Sequence, residues 1–319
     1  MKLIMSRNIL IFIALLFFAT KSFAQIVRTS KIDTTSNWKK VNKLGLDFTQ
    51  ISFVNWSAGG NNSISGLAKG NFIRNYTRDN MKWNNELVIR YGINKQEGQD
   101  LRKTDDQINL NSTIGYRRDT INKWFYGAKF SFLTQFANGY SYPNVSKAIS
   151  KPFGPAYIFL GLGAEYTRKD LGLTVYLSPI TNKTTLVLDR RLSNEGAFGV
   201  EKAIYDETGT EILKKGKRHR TELGALVSSQ YKRKIMTNIN LDTRATLYTD
   251  YLKDFGNIDI DWQISIEMIV NKYVRANIGS HLLYDNDIKN KREVGGIQIT
   301  EGPRVQLKQI LGVGVEYRF

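Results

Sequence analysis

Cysteine is absent from the 319 residues, histidine occurs twice and proline only five times. Without cysteine there is no disulfide framework, thiolate metal site, thiol nucleophile or lipidated N-terminal cysteine. Two histidines leave little material for a metal centre or a nucleophile–base–orienter triad. Past residue 24 there is also no apolar run of the roughly 18–20 residues that a membrane-crossing helix needs. What is present is balanced: 41% hydrophobic, 24% charged and 12% aromatic residues, with a formal net charge of +17. That mixture is too polar for a polytopic helical membrane protein and too aromatic for a disordered chain.

The first 24 residues read as an address. Lys2 and Arg7 give a basic start, Ile9–Ala19 an apolar stretch, and Ser22-Phe23-Ala24 a small-x-small end. This layout predicts a secretory signal peptide, residues 1–24, cleaved after Ala24. A membrane anchor would need a longer run than the one Thr20 and Lys21 interrupt. Residues 25–43 are polar, with Trp38 their only aromatic, and show no alternation. They are expected to form a periplasmic N-terminal extension.

The remainder, residues 44–319, alternates. Ile258, Ile260, Trp262, Ile264, Ile266 and Met268 share one parity, and Asp259, Asp261, Gln263, Ser265 and Glu267 the other. Side chains of a strand project to opposite faces with period two, so such a segment has one apolar and one polar face. Comparable segments recur over 44–54, 63–77, 82–94, 105–117, 124–136, 156–167, 171–188, 218–231, 235–249, 257–270, 273–285 and 304–319. A secreted β-sandwich would also alternate, but its strands usually run about 5–6 residues. These are long enough for a tilted membrane strand, which takes about 9–11. Aromatics near the segment ends, among them Trp83, Tyr91, Tyr116, Trp124, Phe136, Tyr166, Tyr231, Tyr273, Tyr284 and Tyr317, would form two interfacial girdles. The pattern predicts an all-β chain: a transmembrane antiparallel up-and-down β-barrel of about 12 strands.

Short and long connections are expected to alternate, placing both termini on the periplasmic side of the outer membrane. The seventh segment is the exception to regularity. Pro179 lacks a ladder donor and parity slips there, so it marks either a bulge or a break into two strands.

A terminal aromatic in Val315-Glu316-Tyr317-Arg318-Phe319 resembles the ending of Gram-negative outer-membrane β-barrel proteins. By that resemblance Phe319 is the assembly signal and the barrel-assembly machinery a partner during biogenesis. More narrowly, Phe53-Val54-Asn55-Trp56-Ser57-Ala58-Gly59-Gly60-Asn61-Asn62, Arg102-Lys103-Thr104-Asp105-Asp106 and Thr134-Gln135-Phe136-Ala137-Asn138-Gly139-Tyr140 resemble an uncharacterised barrel family of Bacteroidetes, a domain of unknown function. The resemblance covers about residues 38–319 and brings no activity, catalytic residue or cofactor with it.

The polar parity supplies the candidate lumen residues: Glu86, Arg90, Arg117, Lys129, Glu165, Asp242, Arg244, Asp259, Asp261, Glu267, Arg275, His281, Lys308, Glu316 and Arg318. Their mixed signs suit either a wet pore or a salt-bridged plug. Ser280 and His281 cannot act as nucleophile and base, because strand neighbours point to opposite faces. Asp285, Asn286 and Asp287 read as a solvated acidic turn rather than a Ca²⁺ site. Gly161, Gly163, Gly312 and Gly314 sit within strands, leaving room for large lumen neighbours. No enzyme activity, catalytic residue, metal or cofactor is expected. Basic residues beside the turns match lipid phosphates, and nucleic acid is not an expected partner.

These features fit a passive or gated outer-membrane pore for small solutes, its positive charge favouring anions. The alternative is a non-conducting structural or accessory barrel that binds another envelope protein or a surface ligand. A lipid-acting barrel enzyme comes third.

Overall fold

A computed structural model describes residues 36–52, 61–253, 255–294 and 297–319. The expected signal peptide, most of the N-terminal extension and most of the first glycine-rich motif lie outside the described residues. From Trp38 onward the chain forms a closed antiparallel barrel of twelve strands. They are β1 Trp38–Ile51, β2 Ser63–Arg78, β3 Met81–Gln96, β4 Arg102–Tyr116, β5 Trp124–Thr134 and β6 Ala156–Arg168. There follow β7 Leu173–Leu186, β8 His219–Met236, β9 Ile239–Asp250, β10 Asp259–Ile269, β11 Val274–Tyr284 and β12 Gln306–Arg318. Each strand pairs with its neighbours in the chain, and β1 pairs with β12 to close the ring. The even count brings the two ends of the barrel chain together: Asn42 and Phe319 exchange backbone hydrogen bonds of 3.0 and 3.1 Å.

Five connections at this end are 79–80, 117–123, 169–172, 237–238 and 270–273. The other end carries 52–62, 97–101, 135–155, 187–218, 251–258 and 285–305. Strict alternation of length fails at 97–101, which is shorter than 117–123. The cause is extra pairing: a bulge at Gly92–Ile93 lets the β3–β4 ladder continue to Asn94 opposite Arg102.

Three other sequence readings change; the first is the turn expected between 231 and 235, which falls at 237–238 because β8 pairs with β9 as far as Met236 opposite Ile239. β1 starts at Trp38 rather than 44, because Trp38–Lys43 pair with Tyr76–Asn71 of β2. The Trp38 ring packs on Tyr76 and Trp83, at 5.2 and 5.6 Å between centroids. Pro179 does not split its strand. Both ladders of β7 shift register beside it, and pairing continues on either side. Before the bulge Tyr176 and Ser178 are buried; after it Thr181, Lys183 and Thr185 are. Leu177 and Ile180 face outward. One extra residue therefore preserves an apolar exterior across the slip.

The barrel is apolar outside and polar within. Leu44, Leu46, Phe48, Leu160, Leu162, Val313 and Val315 are exposed, whereas Asp47, Glu165, Lys183, Glu222, Arg275 and Glu316 are buried. Water would penalise so continuous an apolar surface, and lipid does not. Near the short turns, Trp124 packs on Tyr166 at 5.0 Å and Tyr317 stacks on Phe319 at 5.5 Å. Tyr91 and Phe136, 5.5 Å apart, stand toward the other end. This is an outer-membrane-type β-barrel that crosses the bilayer with strands; no described helix is long and apolar enough to do so.

Candidate functional site

The site begins with one pair. Arg244 of β9 reaches Glu86 of β3 through two contacts, Nη1 to Oε2 at 2.7 Å and Nη2 to Oε1 at 3.1 Å. These strands stand six places apart in a ring of twelve, so the pair crosses the lumen. A circular twelve-stranded barrel with strand spacing of about 4.8 Å and tilt of about 40° would measure roughly 24 Å across. An arginine and a glutamate end to end fall well short of that. The wall is therefore drawn in along the β3–β9 axis. Gly115, Gly127 and Gly163 lie side by side on β4, β5 and β6, along the wall between those strands. A Cβ on Gly127 would stand 2.0 Å from the Ile114 carbonyl oxygen, and one on Gly163 equally close to that of Leu177. Only glycine permits so tight a bend.

The bridge divides the lumen into unlike halves. On the β4–β8 side it is filled. Tyr176, Leu226 and Tyr248 form a buried cluster with Phe159 against it. Lys129 crosses from β5 to the Ser228 hydroxyl at 2.7 Å, its ammonium over the Tyr176 ring. Buried Lys82 pairs with Glu165 and donates to Thr167 Oγ1 at 2.9 Å, with its Nζ 3.6 Å from the Phe125 ring centre. Arg117, at the end of β4, stacks over the same ring at 5.0 Å. Toward the long connections Lys183 gathers Asp259 at 2.6 Å, Asp285 at 3.3 Å and Glu222 at 3.8 Å.

On the other side, between β9 and β3 through β12 and β1, a cavity of about 570 Å³ remains. It extends from Lys43, Lys232 and Arg318 near the short turns to His281 and Lys308 midway up the wall. Nine lysines and arginines line it against four aspartates and glutamates. Some pairs within it are strand neighbours: Lys69 with Asp47 at 2.8 Å, and His281 Nε2 with Asp261 Oδ1 at 2.9 Å. Arg275, only 11% exposed, contacts Glu316 at 3.1 Å and Glu267 at 3.7 Å. Asp242 joins Arg244 at 3.2 Å, and Arg318 touches Glu316 at 3.4 Å. Arg90 and Lys308 share Asp105, the latter at 3.1 Å. With Glu86, Asp105, Asp261 and Arg275 counted, cations outnumber carboxylates by ten to seven, and three of those cations, Lys232, Arg233 and Lys234, stand at the exposed end of β8.

At the long-connection end the 187–218 connection folds against β8. Helix α1, Arg190–Asn194, is capped by Asp189, whose carboxylate accepts the Leu192 N–H at 3.0 Å and the Lys151 ammonium at 2.7 Å. Burial raises the Asp189 pKa, but these bonds more than offset it and hold the carboxyl below its ordinary value. Val187, Leu192 and Val200 form a second small core with Ala197 and Phe198. Arg220, on the lumen face of β8, contacts Glu222 at 2.7 Å, Asp287 across the mouth, and the Gly199 carbonyl at 3.4 Å. Asp285 and Asp287 are thus ion-pair partners, and no metal-holding group of acidic or histidine side chains occurs among the described residues.

Each of the fifteen polar-parity residues makes one of the contacts above, Arg117 from the 117–123 turn and Arg318 from the exposed end of β12. Lys69, Lys82, Asp105, Lys183, Arg220 and Glu222 join them. Lys183 escaped sequence reasoning because the Pro179 bulge reverses parity before it.

The sequence motifs also find a structural use. Asp106 accepts the backbone N–H groups of Phe136 and Ala137 at 3.1 and 2.8 Å. Lys103 returns to the Ala137 carbonyl at 2.9 Å and to Asp106 at 2.9 Å. The two motifs thus pin the 135–155 connection to β4.

No curated protein matches the chain. Among solved structures it is similar to the translocator domain of autotransporter NalP from Neisseria meningitidis, with 10% identity, 98% of each chain covered and a TM-score of 0.39. It is also similar to the COG4313 outer membrane channel from Pseudomonas putida F1, at 8% identity over 91% of this chain and all of that one, TM-score 0.39. The NanC porin covers 86% of this chain and 98% of its own, at 9% identity and a TM-score of 0.35. Residues 48–140, which contain all three sequence motifs, match a family described as protein of unknown function (DUF3078).

Proposed function

We propose that this barrel is a gated outer-membrane pore for small anionic solutes, with both termini in the periplasm and the described structure its closed state. The basic half-lumen carries the reading. Its excess of lysine and arginine, in a low-dielectric wall, favours anions over cations. Closure comes from the Glu86–Arg244 bridge at mid-height and from the 187–218 connection folded against β8. Purified protein in planar bilayers tests it. Low resting conductance that rises in discrete, anion-selective steps when Glu86 and Arg244 are both made glutamine supports the proposal. A silent barrel in both forms refutes it.

The filled β4–β8 half favours a second reading, a non-conducting accessory barrel that engages another envelope protein through its loops. A silent barrel that co-purifies with one stoichiometric envelope protein would support that reading.

A further inference from the structure

The ring is closed unevenly. β1 pairs with β2 along its whole length, from Trp38 opposite Tyr76 to Ile51 opposite Ser63. Against β12 it pairs only from Lys43 to Phe48, opposite Arg318 to Val313. Above that point, among the described residues, Thr49–Ile51 pair with β2 alone and Gln306–Gly312 pair only on their β11 side. The seam therefore parts in the half of the barrel nearer the long connections. Backbone groups left without partners at membrane depth are costly in hydrocarbon unless they line a cavity or meet a ligand.

A cavity lies there. About 330 Å³ in volume, it is bounded by Thr49 of β1, Leu67 of β2, Asp105 of β4 and Lys308, Ile310 and Leu311 of β12. Its outer flank carries Phe48, Leu307 and Leu311, all more than half exposed, with the polar Gln309 between the two leucines. At its inner end Lys308 stands 3.1 Å from Asp105, whose second oxygen is taken by Arg90. Two cations thus share one carboxylate. The slot is mainly apolar toward lipid; toward the lumen Asp47 is balanced by Lys69, and Arg90 and Lys308 on Asp105 leave one cation in excess.

We propose that the parted β1–β12 seam is a lateral binding slot for a single-chain amphiphile with an anionic head, a fatty-acid-like carboxylate, entering from the bilayer and held at Lys308. The chain would fill the gap between strands while the carboxylate takes up Lys308's free donors. This proposal is independent of conduction, and its test reads covalent labelling rather than current.

The probe is stearic acid carrying a mid-chain diazirine, added to the full barrel in phosphatidylcholine vesicles and photolysed; adducts are mapped by mass spectrometry. Adducts should concentrate on inward residues of the slot, chiefly Leu67, Ile310 and Thr49, and excess unlabelled stearate should compete them away. Lys308→Gln should lower the yield at least fivefold and Lys308→Arg restore most of it. Leu67→Trp, filling the slot, should abolish inward adducts while leaving annular ones. Heat-modifiable migration verifies that each variant is folded. Adducts confined to outward residues such as Val313 would overturn the proposal. So would an uncharged methyl ester that labels the slot as well as the acid, or a dimer that buries the seam edge to edge.

Discussion

Arg244 and Glu86 hold opposite walls of the barrel together from strands that stand six places apart in the ring. Such a strut differs from a cross-strand pair, because its strength depends on how closely the walls approach. Glu86 also accepts from Asn71 Nδ2 at 2.9 Å, so its carboxylate is fully engaged.

Removing only the arginine should therefore be costly. Arg244→Met leaves Glu86 unpaired in the lumen, a loss of at most about 3–5 kcal/mol that lumen water will reduce. The double variant Glu86→Gln, Arg244→Gln should recover most of that stability. Urea unfolding in detergent micelles checks this, and equal stability of the single and double variants would contradict the strut.

The facing of β10 can be checked at adjacent residues. Ile264 pairs with Thr243 and Ser280, Gln263 with Arg244 and His281. Arginine at Ile264 should cost about 2–4 kcal/mol if it lies near the bilayer midplane. Arginine at Gln263 should cost much less in folding titrations, and equal tolerance at both would reverse the assignment.

Phe319 stacks on Tyr317 and bonds through its backbone to Asn42, closing the ring beside the short turns. Its deletion removes both the terminal aromatic and this closure. Membrane-inserted, heat-modifiable protein should fall and unfolded periplasmic protein rise. Unchanged barrel yield in the membrane fraction would remove Phe319 from assembly.

Acid should loosen the 187–218 connection before it opens the barrel. The Asp189 carboxyl is depressed when folded, so its bonds stabilise the 187–218 connection above the unfolded carboxyl value of about 3.9. That contribution is lost as pH falls through the lower folded value. Asp189→Asn, which keeps a capping oxygen but loses the partly exposed Lys151 ion pair, should cost about 0.2–1 kcal/mol at neutral pH. Its protease sensitivity over 187–218 should change less with acidification than that of the original chain.

Much of this architecture is legible in the alternation. Ile258–Met268 reads directly as β10, and the tight turn at Asn271 correctly places Arg275 diagonally across from Glu267. Strand register is a local property, so periodicity and turns suffice for it. Pairs that cross the lumen are different in kind. Nothing near Glu86 in sequence points to Arg244, because their meeting depends on the flattened section that the glycine row allows. The start of β1 was hidden for another reason: Trp38–Lys43 is too polar to alternate, and its strand form comes from pairing with β2. Lys82 is hidden by its neighbours at the rim, where polar residues occupy both faces.

The bulge at Pro179 acts as a frame marker for everything that follows it in β7. Pairing that residue regularly in both ladders, with no bulge, would impose an unbroken two-residue rhythm on the full sequence. To keep its outward Leu177, the strand would then have to turn Thr181, Lys183 and Thr185 toward lipid and Ile180 and Asn182 inward. Lys183 would leave Asp259, Asp285 and Glu222 without their shared cation, three carboxylates facing one another in the mouth. The proline thus matters less for its ring than for the one-residue offset it holds in place. Loss of the position should therefore be tolerated, because without it Leu177, Ile180 and Asn182 stay outward and Ser178, Thr181 and Lys183 inward; flattening the bulge with the residue kept should not be.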